Sequence, residues 1–207
     1  MSALSKIRGR ILAGPALLAA SVALALAAPS GCLSEADLSV GQAFCPTRVI
    51  VTDEASGNTL SDTFRPVSQV LERRCGTIDC HGVAARPLRI YGQSGLRRPE
   101  AADSEVVKTG EYYTGGLVAT TDAEVEANYL AACGLEPEIM DQVIAGLAEV
   151  EELTLVRKPR LEEKHKGGRI WASGSTQGDL CIKSWIEQSR TQQPINTEAC
   201  RLELEKP

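Results

Sequence analysis

Seven cysteines in a chain of 207 residues constrain the fold more than any other feature, because the N-terminus directs them out of the cytoplasm. Lys6, Arg8 and Arg10 precede an uncharged apolar run from Ile11 to Ala28, which is the pattern of a secretory signal. The run is short for a spanning helix, contains Gly14 and Pro15, and stops at the breaker string "PSGC", so removal is expected rather than retention as an anchor. In an exported chain thiols oxidise, and each cysteine needs a partner or a modification.

Ser30 and Gly31 before Cys32 resemble a bacterial lipobox, although Pro29 stands where an aliphatic residue is usual. Cleavage there leaves Cys32 to carry acyl chains, each buried methylene contributing roughly 0.8 kcal/mol of membrane affinity. It also removes Lys6, Arg8 and Arg10 with no acidic residue, moving the net charge from −5 to −8. Such an acidic product is a poor ligand for nucleic acid. Export to the periplasm or cell surface, held to a membrane by lipid, is the expected location.

The stretch "CGTIDCH" places four residues between Cys75 and Cys80, with His81 directly after the second. A c-type haem is attached through two cysteine thioethers, with the following histidine on the iron, and the usual gap is two residues. A longer, glycine-containing loop can still bring both sulfurs to the ring edge. Disulfides from Cys75 and Cys80 explain the same residues, and zinc held by Cys75, Cys80, His81 and His165 is conceivable, although adjacent Cys80 and His81 are awkward as joint ligands. Without Cys32, Cys75 and Cys80, an even set of Cys45, Cys133, Cys181 and Cys200 remains as disulfide candidates, with three possible pairings. Two residues of the mature chain qualify as a second axial ligand: His165, in the basic loop "EEKHKGGRIW", and Met140. Met140 shares an apolar helix face with Val143, Ile144 and Leu147, where a flexible core filler is the ordinary reading.

Around these residues the periodicity is mainly helical. Pro66 suits a first turn, and Val67, Val70 and Leu71 fall on one face of a helix that delivers the chain to Cys75. Thr121 and Glu124 form a capping box for a helix over 122–133, ended by Gly134, and Pro137 opens a third. "LTLVRKPRL" reads as extended, as does a short piece at "PLRIYG". "GLRRPEAADSE" reads as a solvated charged loop and "AEVEELT" as an exposed helix end. Asp179 is expected to cap a last helix whose apolar face is Cys181, Ile182, Trp185 and Ile186. Residues 33–62 read as a linker with one short strand at "TRVIVTDE".

This order of parts resembles the cytochrome-c-like domains of exported bacterial lipoproteins, which pair a Cys-His-Gly motif with a late "HKGG" and a final "D-x-C-x-x-x-W". Here these are Cys80, His81 and Gly82; His165 to Gly168; and Asp179, Cys181 and Trp185. The resemblance implies a mainly α domain with long loops over 63–190, after a signal peptide at 1–31 and a linker at 32–62, with a polar C-terminal tail at 191–207. It implies covalent haem c on Cys75 and Cys80, iron held by His81 and His165, and electron exchange with a redox protein of the cell envelope rather than catalysis. Two departures stand out, the four-residue gap and Cys181, which would abolish attachment if it bridged to Cys75. An acidic carrier is expected to favour partners with a basic docking patch. The rival expectation is a haem-free lipoprotein stapled by disulfides and acting as a structural or binding module. A peroxidase-like enzyme follows only if His165 leaves the iron open.

Overall fold

The computed structural model describes residues 45–98, 119–172 and 176–207; the signal at 1–31, the lipid site at Cys32 and the first part of the linker lie outside them. The described chain is mainly α-helical, with one two-stranded sheet. Strands β1 (Ile50–Thr52) and β2 (Thr59–Asp62) form an antiparallel hairpin with a bulge between Val51 and Thr52, so the linker holds two strands where one was expected. Arg48 fastens the hairpin to the domain. Its guanidinium pairs with Asp62 at 2.7 Å and with Glu126, and lies 5.3 Å over the ring of Tyr129.

Helix α1 (Arg65–Arg74) starts with Pro66 in its first turn and buries Val67, Ser68, Val70 and Leu71. Helix α2 (Asp122–Cys133) begins at the Thr121–Glu124 capping box and stops at Gly134. Helix α3 (Pro137–Ile144) buries Met140 and Val143 and ends before Leu147, which is 79 % exposed. A left-handed Gly146 at φ +73° turns the chain out of the helix ahead of it, so Leu147 leaves the expected apolar face.

The segment expected to be extended is instead a 3₁₀ turn at Val150–Glu152 followed by helix α4 (Thr154–Arg157). The cause is a cap from a distant residue, since Glu136 accepts from both the N–H and the hydroxyl of Thr154 at 2.5 and 2.6 Å. Val150 and Leu153 are buried, so "AEVEELT" is no exposed helix end. At "PLRIYG" the chain makes turns and a single bridge between Tyr91 and Leu96.

Helix α5 (Gln177–Thr191) buries Cys181, Ile182, Trp185 and Ile186 as expected, but Thr176 is its N-cap. Asp179 lies one turn in and binds Arg160 instead. The expected polar tail contains helix α6 (Thr197–Leu204), capped by Asn196 and burying Ala199, Cys200 and Glu203. Three buried residues there suffice because Cys181–Cys200 bolts the short helix to α5. Helices α1, α5 and α6 share one core with α2 and α3, at whose centre Trp185 meets Phe64 at 4.8 Å between ring centroids.

Candidate functional site

Helix α1 hands the chain to the cysteine motif without a break, since the Cys75 N–H bonds to the Leu71 carbonyl at 2.8 Å. The four residues between the cysteines are folded back at Thr77, whose carbonyl accepts from Cys80 and Gly82 at 2.9 Å each. The loop then closes with His81 N–H on the Cys75 carbonyl at 2.8 Å, so the long gap still returns the imidazole beside Cys75. Glycines make this crossing possible. A Cβ at Gly82 or Gly95 would lie 2.1 or 1.8 Å from the Gly76 carbonyl oxygen, a distance no side chain tolerates.

The loop beyond His81 is tied down by Asn128 of α2, which accepts from Tyr91 N–H at 2.7 Å and donates to the Tyr91 carbonyl at 2.8 Å and to Ser68 at 2.9 Å. "GLRRPEAADSE" departs from a purely solvated loop at its start. Arg97 is 5 % exposed and pairs with buried Glu124 at 2.8 and 3.0 Å.

His165 arrives on the loop between α4 and α5, whose neck is closed where Ile170 and Trp171 donate to the Pro159 carbonyl at 2.8 and 3.1 Å. Gly168, at φ +76°, bends the chain so that its carbonyl accepts from His165 Nδ1 at 2.9 Å. Gly167 lies against the other edge of the ring, where a Cβ would stand 3.1 Å from Cε1 and 3.4 Å from Nε2.

The two histidines therefore meet across one cavity of about 510 Å³, a size that takes a cofactor. Their rings are nearly parallel, 12° apart, with centroids 6.4 Å from each other. His81 Nδ1 donates to the Leu88 carbonyl at 3.0 Å as His165 does to Gly168. A carbonyl can only accept, so both rings carry their proton on Nδ1 and keep the Nε2 lone pair, the arrangement typical of metal-ligating histidine. Burial, with the cations around it, holds the His81 pKa below the ordinary histidine value, which favours the neutral ligating form.

The cavity wall is apolar where Leu71, Leu88, Leu135, Leu155 and Trp171 face it, and both Cys75 and Cys80 line it. Among the described residues these are the free cysteines, while Cys45 pairs with Cys133 and Cys181 with Cys200. One of the three possible pairings is thus realised, and Cys181 does not reach Cys75. Burial pushes the Cys75 thiol up to about 12, so it stays protonated at neutral pH and makes a poor thiolate ligand. Among the described residues no group of three or more His, Cys, Asp or Glu side chains could hold a metal ion.

Two imidazoles with Nε2 left free and two thiols in one cavity are the donor set that a c-type haem would need. Met140 is buried in the core among the α3 residues and does not line the cavity. Trp171, which the sequence left unplaced, lines it, whereas Trp185 does not. Arg86, Lys158, Lys164 and Lys166 line the cavity with the carboxylate Asp79, and Glu163 pairs with Lys158 at 3.4 Å. No family model, curated protein or solved structure matches this chain.

Proposed function

We propose that the cavity between His81 and His165 holds a haem attached through Cys75 and Cys80, and that the protein is a monohaem electron carrier of the cell envelope, a cytochrome-c-like domain tethered through Cys32. The observation that carries this reading is the facing pair of imidazoles, each with Nδ1 fixed by a backbone carbonyl, at 6.4 Å across a cavity lined by the two unpaired cysteines.

Bound haem supplies a one-electron centre. His81 and His165 would hold its metal through Nε2, and with both imidazoles engaged the chemistry supplied would be electron transfer without substrate on the metal. The leucines and Trp171 in the wall would keep water from the bound group, and ligation by two imidazoles rather than histidine and methionine would lower its reduction potential. Since Arg86, Lys158, Lys164 and Lys166 line the cavity, the docking partner is acidic where it touches, in spite of the net acidity of the chain. The test is the absorption spectrum of protein matured with a c-type haem ligation system. A Soret band with split visible bands on reduction is expected, and a colourless protein would refute the reading.

A further inference from the structure

The loop that carries His165 is gripped at both ends by buried carboxylates from the last two helices. At its start, Arg160 is 4 % exposed and donates through Nε and a terminal nitrogen to the two oxygens of Asp179 in α5, at 2.7 and 2.8 Å. At its end, Trp171 donates its indole N–H to Glu203 of α6 at 3.3 Å. Glu203 is 3 % exposed and also accepts from Arg74 Nε at 2.8 Å, Gly178 N–H at 3.0 Å and Lys206 Nζ at 2.8 Å. Gly178 lets the indole come this close, because a Cβ there would stand 2.2 Å from Trp171 Nε1.

Buried charges are expensive unless fully paired, and a packing role alone needs neither. Both grips act at one place: Arg160 follows Pro159, whose carbonyl closes the loop neck, and Trp171 is one of the two residues that close it. The disulfide Cys181–Cys200 joins the helices that supply the carboxylates, and Arg74, the residue before Cys75, shares Glu203 with Trp171. The Cys75 side of the cavity and the His165 side are thereby referred to the same anchor.

We infer that Asp179 and Glu203 are positioning residues for His165, holding the two ends of its loop through Arg160 and Trp171 so that the second imidazole stays opposite the first. This rests on the haem reading, and one experiment separates their failures. Haem content is measured first, as the pyridine haemochrome of purified wild type, Asp179→Asn, Arg160→Lys and Trp171→Phe. Carbon monoxide binding to each reduced holoprotein is then followed at the Soret band. Wild type is expected to bind slowly, limited by release of His165. The variants are expected to bind at least about tenfold faster, as the loss of one buried hydrogen-bonded contact implies, and to gain a high-spin ferric band. Val143→Ala, which loosens the core away from the loop, is expected to keep wild-type kinetics. If Asp179→Asn does not fold, Arg160→Lys, which keeps the charge and lies outside the cavity wall, carries the test. Haem-loaded variants with wild-type carbon monoxide kinetics and spectra would overturn the positioning role alone, and wild type without haem would overturn both readings.

Discussion

His81 and His165 occupy unequal settings. His81 sits in backbone crossings that only glycine permits, while His165 projects from a loop closed at a narrow neck. Replacing His165 by Ala is therefore expected to leave haem covalently attached but five-coordinate, seen as a high-spin ferric spectrum and rapid carbon monoxide binding. Met140→Leu is expected to leave the spectrum untouched and to cost less than about 1.5 kcal/mol in urea unfolding, as volume-conserving core swaps do. A spectrum changed by Met140→Leu would mean that the sulfur, not His165, reaches the metal. Gly95→Ala places a methyl 1.8 Å from a carbonyl oxygen and is expected to destabilise the fold by about 3 kcal/mol or more, measurable as a lowered urea midpoint even in apoprotein. The motif Cys75, Cys80 and His81 was legible in the sequence because Cys-His adjacency is a local pattern. The glycines at 82 and 95 were not, since their necessity comes from segments that meet only in three dimensions.

At the scale of elements, the sequence disclosed the helices that announce themselves locally. Pro66, the Thr121–Glu124 box and Pro137 open α1, α2 and α3 where expected. Helix α4 was hidden because its cap is Glu136, eighteen residues upstream, and α6 because its few buried residues matter only once Cys200 joins Cys181. Breaking that bridge with Cys181→Ala and Cys200→Ala is expected to cost about 3 kcal/mol in denaturant unfolding, the chain-entropy value for a loop of this length. Arg97 escaped the sequence reading because its partner lies in another element. Burial alone would raise the Glu124 pKa, but the hydrogen bonds from Arg97 and from the backbone of Thr121 and Arg98 outweigh it and hold the carboxyl below its usual range. A carboxyl with a lowered folded pKa stabilises above its unfolded value, and that contribution is lost as pH falls through the folded one. Urea midpoints measured from pH 7 down to pH 3 should fall more steeply in wild type than in Glu124→Gln, and parallel curves would contradict the assignment.

On the scale of the molecule, the whole chain is acidic, while Arg86, Lys158, Lys164 and Lys166 line the cavity. Net charge alone favours a partner with a basic docking patch, whereas the cations lining the cavity favour an acidic one at that place. An electron acceptor with an acidic face should react faster than a basic one, and added salt should slow the first and speed the second. Neutralising Lys164 and Lys166 should weaken that salt dependence without moving the Soret band. Beneath these expectations lies the claim that Cys75 and Cys80 are spent on a cofactor rather than on each other. Intact and peptide mass analysis of protein matured with the haem-ligation system tests it directly: one haem on the peptide containing Cys75 and Cys80 is expected, and an unmodified peptide with the two sulfurs joined as cystine would contradict it.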